Sequence, residues 1–154
     1  MAKQKVLFVC IHNSARSQMA EAWLNHMCGE FFEAHSAGLE PGVLNPLVVE
    51  VMKEIGIDIS HKKTQSVFDL LKRGERFAYV IAVCDGASAE KCPIFPGALE
   101  RIHWSFTDPS KATGTKDEKL AQIRMIRDEI KEKIKNWCST MCIARMAEAI
   151  AAKK

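Results

Sequence analysis

Cys10 closes an apolar run and opens Cys10-Ile11-His12-Asn13-Ser14-Ala15-Arg16-Ser17, a cysteine, five residues, an arginine and a serine directly ahead of a helical pattern. These residue types at this spacing suit one kind of chemistry: holding a tetrahedral oxyanion and attacking it with sulfur. A loop that turns into a helix offers unpaired backbone N–H groups and the positive end of the helix dipole, and both favour an anion. Successive amides of Ile11, His12, Asn13, Ser14, Ala15 and Arg16 add a concave nest. The same field favours thiolate over thiol at Cys10. The Arg16 guanidinium can grip two oxygens at once, which a lysine ammonium cannot do with that geometry. Ser17 is placed to donate a hydroxyl hydrogen bond to the Cys10 sulfur. Asn13 tolerates the left-handed backbone that a tight cradle needs.

Rigid elements must flank such a loop. Lys5-Val-Leu-Phe-Val9 reads as a short buried strand, continuous, apolar and partly β-branched. Arg16 to Cys28 reads as a helix with an apolar stripe of Met19, Ala20, Trp23, Leu24 and Met27. Strand candidates follow at 31–37, 77–83 and 99–104, and helix candidates at 44–55, 67–71 and from 117 onward. Strands alternating with helices predict a parallel sheet covered on both faces. Ligands of such sheets sit beyond the carboxyl ends of the strands. Cys10 and Cys84 each end an apolar strand, so both are expected at that rim.

The bulk composition fits one small domain. The chain has 154 residues, 47% hydrophobic and 27% charged, with a net charge of +3. A chain of this length buries near 70% of its unfolded surface. Lys and Arg are dispersed, which argues against a nucleic-acid partner. The first residues are too short a run for a signal peptide, and no later stretch is long enough to span a membrane. The expected compartment is the cytoplasm, where six cysteines read as reactive or buried rather than as structural disulfides.

Two further features bear on chemistry. Cys84-Asp-Gly-Ala-Ser-Ala-Glu-Lys-Cys92-Pro93 is polar and rich in small residues. A second thiol on a mobile segment beside a reactive thiolate is what thiol–disulfide exchange requires. By spacing alone the pair reads equally well as two unrelated cysteines. Asp108, fixed in a turn by Pro109, is a candidate general acid or simply a turn cap.

The run Val6 to Ala22 resembles the start of the arsenate reductases built on the low-molecular-weight tyrosine phosphatase fold. The resemblance continues through Ser36-Ala-Gly38, Gly56 to Ser60, Val83-Cys-Asp85, Cys92-Pro93 and His103 to Pro109, and spans roughly residues 4 to 135. It implies a three-layer α/β/α fold with a central parallel four-stranded sheet, residues 1–136 forming the domain and 137–154 a helical extension of it. It implies catalytic roles for Cys10, Arg16, Ser17, Asp108, Cys84 and Cys92. Cys10 would attack arsenate, with phosphate or sulfate as analogues, and a Cys10–Cys84–Cys92 relay would follow. It also implies thioredoxin, or glutaredoxin with a small thiol, as reductant; relatives coupled to thioredoxin often carry a cysteine where this chain has Ala15. No tightly bound cofactor is implied. A potassium ion is implied near Asn13, Glu21, Ser36 and Thr64, although Ser66 stands where an aspartate is expected. Hydrogen bonds that brace the loop explain Glu21 and Ser36 equally well.

Other readings stay open beside the reductase. A phosphatase would use Cys10, Arg16 and Asp108 alone, but the only tyrosine is Tyr79, inside a strand, so no aromatic wall for a phosphotyrosine ring is evident. A sensor of arsenite or another thiophilic ion would need the thiols but not the Arg16 cradle. In the tail, Leu120, Ile123, Ile126, Ile130, Ile134, Trp137 and Met141 form a helical stripe. Cys138 and Cys142 share a helical face and read as small buried residues or as a pair of soft ligands. Cys28 reads as core.

Overall fold

The computed structural model describes residues 2–152; Met1, Lys153 and Lys154 lie outside the described residues, including the last two of the expected extension. Four strands, β1 (Gln4–Cys10), β2 (Phe32–Gly38), β3 (Tyr79–Ala82) and β4 (Glu100–His103), form one sheet in the order β2-β1-β3-β4. Every pairing is parallel. Helices α1 (Arg16–Cys28), α2 (Pro46–Lys53), α3 (Val67–Lys72), α4 (Gly86–Ala89) and α5 (Lys116–Ala152) complete the chain. No helix among the described residues is long and apolar enough to cross a membrane.

The central strands have no polar face because both faces are covered. Val6, Phe8 and Cys10 point into one core with Met19, Trp23 and Leu24 of α1, Val48 and Val51 of α2, and Ile123, Ile130 and Ile134 of α5. Leu7 and Val9, the alternate residues of β1, pack on the opposite face against Val67 and Leu70 of α3, with Phe77 and Phe95. That alternation makes the three layers. It also decides which thiols share a face.

Most predicted elements are present, with shorter ends. The helix expected over 44–55 is Pro46–Lys53, because the Asn45 side chain accepts from the Leu47 amide and Pro46 opens the first turn. The segment after Cys84 is expected to be mobile; instead α4 forms there, capped by the Asp85 carboxylate accepting from the Ser88 amide at 2.9 Å.

Helix α5 has 37 residues and runs unbroken through the expected boundary at 136/137, a length of about 55 Å at the usual rise. Trp137 anchors it, with ring centroids 5.1 Å from Phe32, 5.4 Å from Tyr79 and 6.1 Å from Trp104. Tyr79 is therefore occupied in the core. Here the reading of Cys28 and Cys138 as unpaired core residues is corrected: they form a disulfide across α1 and α5, with Cα atoms 6.8 Å apart. A half-buried Cys28 on α1 and a buried Cys138 on α5 meet where the two helices pack, which no spacing in the chain reveals. Cys142 stays free, its sulfur 3.8 Å from that of Cys138.

Candidate active site

The site is built where β1 runs into α1. Segment 39–45 laces the outside of the connecting loop. Leu39, Glu40, Gly42 and Asn45 donate their amides to the carbonyls of Cys10, Ile11, His12 and Ser14 at 3.1, 2.7, 2.9 and 2.9 Å. A trans peptide sets its N–H opposite its C=O. With those carbonyls held outward, the amides of Ile11, His12, Asn13 and Ala15 turn inward to one concave volume. Gly38 makes this lacing possible: a Cβ there would lie 2.8 Å from the Ile11 oxygen and 2.9 Å from the Asn13 nitrogen. Asn13 takes the left-handed backbone, φ 56°, as its short polar side chain allows.

The start of α1 strengthens the anion site. Ala15 at the cap position supplies no side-chain cap, and the first turn holds no acidic residue. The first amides of the helix are left for a ligand. The Cys10 sulfur lies 2.8 Å from Ser17 Oγ and accepts from the Asn13 amide at 3.1 Å. Arg16 is 7% exposed. Its Nη1 donates to the Phe106 carbonyl at 3.3 Å and its Nη2 faces Asp108 Oδ2 at 3.8 Å. His12 points away, its Nδ1 2.9 Å from the Glu40 carbonyl, so only its backbone serves the loop.

Asp108 caps a 3-10 turn at Pro109–Lys111, and its Oδ1 accepts from the Ser110 amide and hydroxyl. Burial pushes the carboxyl up. The Ser110 donors and the Arg16 guanidinium outweigh it and hold Asp108 below the ordinary carboxylate range. Asp108 therefore rests as a carboxylate on the rim beside Arg16. Cys84 lies just past β3 in the core that holds Cys10, and its carbonyl accepts from His103 Nε2 at 2.6 Å. Burial, then the neighbouring Cys10 sulfur, push the Cys84 thiol up to about 11 against the pull of Arg16.

These observations agree with comparison to known proteins. The chain matches the family described as low molecular weight phosphotyrosine protein phosphatase over residues 5–153. It belongs to that family. It is 43% identical to an arsenate reductase of Halalkalibacterium halodurans across 91% of this chain and 99% of that one. A solved arsenate reductase in the phosphate binding state aligns with TM-score 0.72 and 28% identity, over 89% of this chain and 98% of the other. A thioredoxin-dependent arsenate reductase of Corynebacterium glutamicum aligns with TM-score 0.58 and 31% identity, over 86% of this chain and 62% of the other.

One residue of the expected relay is not where the others are. Cys92 belongs to the core on the opposite face of the sheet, among Leu7, Val9, Phe77 and Phe95. Its carbonyl accepts from Arg101 Nη2 at 2.9 Å, and burial raises its thiol against the opposing charge of Arg101. A cavity of about 450 Å³ lies beside it, bordered by α4, Arg101 and His103.

The donors expected to hold potassium are engaged by protein groups instead. Asn13 Oδ1 accepts from Gln18 Nε2 and from the Gln65 amide, at 3.3 and 3.1 Å. The Thr64 hydroxyl donates to the Gly42 carbonyl at 2.6 Å. Glu21 Oε2 faces the Lys62 ammonium at 2.8 Å. Among the described residues Gln18 Oε1 and Glu21 Oε2 are buried without a hydrogen-bond partner, and the Lys62 ammonium supplies the positive charge beside Glu21. Sequence reasoning missed Gln18, Lys62, Gln65, Arg101 and His103, because each makes a contact with a residue distant along the chain.

Proposed function

We propose that this protein reduces arsenate to arsenite through Cys10, Cys84 and Cys92. The observation that carries the reading is the Cys10 sulfur, held by Ser17 and Asn13 inside the amide cradle, with a second free thiol on the same face. The family membership and the arsenate reductase relatives support it. An oxyanion in the cradle takes the inward amides and the Arg16 fork, and Arg16 is kept in place by Phe106 and Asp108.

The Cys10 thiolate attacks arsenic, forming S–As as an As–O bond breaks. The departing oxygen needs protons. Bound anion places like charge beside Asp108 and offsets Arg16, which drives a proton onto the carboxylate, and Asp108 can then pass it on. Cys84 next attacks the Cys10 sulfur. The S–As bond breaks with its electron pair left on arsenic, which departs as arsenite, and a Cys10–Cys84 disulfide remains. Cys92 attacks Cys84, frees Cys10 as thiolate, and closes Cys84–Cys92. A dithiol reductant, thioredoxin or glutaredoxin with a small thiol, returns the pair to thiols at the expense of its own oxidation. Burial first, then the Cys10 sulfur, hold the Cys84 thiol up, so Cys84 must give up its proton as it attacks. Cys10, Cys84 and Cys92 are free thiols, as this chemistry needs.

The test is arsenate-dependent NADPH oxidation with thioredoxin and its reductase, run beside aryl phosphate hydrolysis. Arsenate turnover that stops with Cys84→Ser is expected. Robust hydrolysis without arsenate turnover would overturn the reading in favour of a phosphatase using Cys10, Arg16 and Asp108.

A further inference from the structure

Among the described residues Glu21 is the only buried carboxylate, 4% exposed, on α1 beyond the anion loop. A buried carboxylate without a partner is costly. Burial raises the Glu21 carboxyl, and Lys62 and Ser36 oppose it. The Lys62 ammonium, 34% exposed at its side chain, reaches Glu21 Oε2 at 2.8 Å. Lys62 thereby ties the segment that follows it to α1. That segment does the bracing: the Lys63 carbonyl accepts from Gln18 Nε2 at 3.2 Å, and the Gln65 amide donates to Asn13 Oδ1 at 3.1 Å. Gln65 Nε2 donates to the Ser36 carbonyl at 2.9 Å, and the Gln65 carbonyl accepts from the Gly38 amide at 2.8 Å. Asn13, held from that side, donates from its amide to the Cys10 sulfur and from Nδ2 to Ser17 Oγ, at 3.1 and 2.8 Å. From Lys62 the chain runs three residues to Gln65, whose amide hydrogen bond to Asn13 leads on to the nucleophile.

We propose that the Lys62 ammonium is the fixed cation of this loop, so that the Cys10 cradle keeps its shape without any bound monovalent ion. Lys62 is a positioning residue: it touches no substrate and acts through Glu21, Gln65 and Asn13. The inference rests on Cys10 being the nucleophile of the proposed reaction, and its test reads the thiol itself rather than arsenate. A failure of arsenate turnover therefore leaves it standing.

The experiment measures thermal stability and the rate of Cys10 alkylation by iodoacetamide, followed by peptide mass spectrometry. Potassium, sodium and choline chlorides are compared at equal ionic strength. Wild-type protein is expected to give the same values in all three salts. Lys62→Met is expected to alkylate roughly three- to tenfold more slowly at fixed pH, tenfold being the effect of one unit in thiol ionisation, and Lys62→Arg to recover most of the rate. A wild-type protein that is more stable or faster in potassium than in choline would overturn the proposal. So would a Lys62→Met variant that alkylates at the wild-type rate.

Discussion

Ser17 and Arg16 carry complementary parts of the site. The Ser17 hydroxyl sits 2.8 Å from the Cys10 sulfur and also accepts from Asn13 Nδ2. That second bond leaves its own hydrogen free to point at sulfur. A hydrogen bond to a charged group contributes about 1.5–3 kcal/mol, so Ser17→Ala is expected to lower kcat/KM for arsenate about ten- to a hundredfold, measured in the coupled assay. Arg16→Lys keeps a charge and loses the fork, and a loss of about 10²–10³ in kcat is expected from the analogous removal of an oxyanion donor. Cys84 makes a prediction about stability and pH. Its folded thiol lies near 11 against an ordinary value of 9.0. The folded state thus holds this proton more tightly than the unfolded chain. The resulting stability is full below pH 9 and is lost as pH rises toward 11. Denaturant melts across that window should show an alkaline decline that Cys84→Ala flattens.

At the scale of elements, the loop depends on what is threaded outside it. Gly38 ends β2 opposite Cys10, and its missing Cβ admits the loop backbone. Gly38→Ala should cost about 1–3 kcal/mol through forced backbone shifts. It should also weaken phosphate binding, because the outward carbonyls would lose their register. Calorimetry and phosphate titration read the two effects separately. The Cys28–Cys138 disulfide joins the end of α1 to the interior of α5 across a sequence separation of 110. Disulfides of this kind contribute about 2–4 kcal/mol. In oxidising buffer Cys28→Ser should melt roughly 5–15 °C below wild type, and excess reductant should abolish the difference.

For the whole molecule, the sheet itself is the obstacle to the relay. Cys10 and Cys84 lie in one core and Cys92 in the other. Closing Cys84–Cys92 is expected to move the 85–92 segment, unwinding the four-residue α4 and breaking the Arg101 bond to the Cys92 carbonyl. A helix this short is held by its Asp85 cap and little buried surface, since it contributes no buried residue. Hydrogen exchange over 85–98 should therefore accelerate in the Cys84–Cys92 oxidised form while β1 and α1 stay protected. Unchanged exchange in that segment would argue against closure of the pair.

Local chemistry was legible in the chain. The β1–loop–α1 unit is contiguous, so the apolar strand, the uncapped helix start and the order Cys10, Arg16, Ser17 sit together in sequence as they do in space. The left-handed Asn13 and the Ser17 contact to sulfur followed from the same few residues. Alternation of strand and helix was enough for a parallel sheet, and the strand ends placed Cys10 and Cys84 on one rim. Contacts between distant segments were not legible. Lys62 against Glu21, Arg101 against Cys92, and Cys28 against Cys138 each join residues that no periodicity relates. The face taken by Cys92 depends on how the 85–92 segment folds, which its eight mostly small or polar residues do not dictate. Sequence by itself determined the cradle and its candidate nucleophile, because backbone dipoles and neighbouring side chains act within one turn of chain. Only the tertiary structure decided what braces the cradle and what the relay must move, because packing brings together groups that the chain keeps apart.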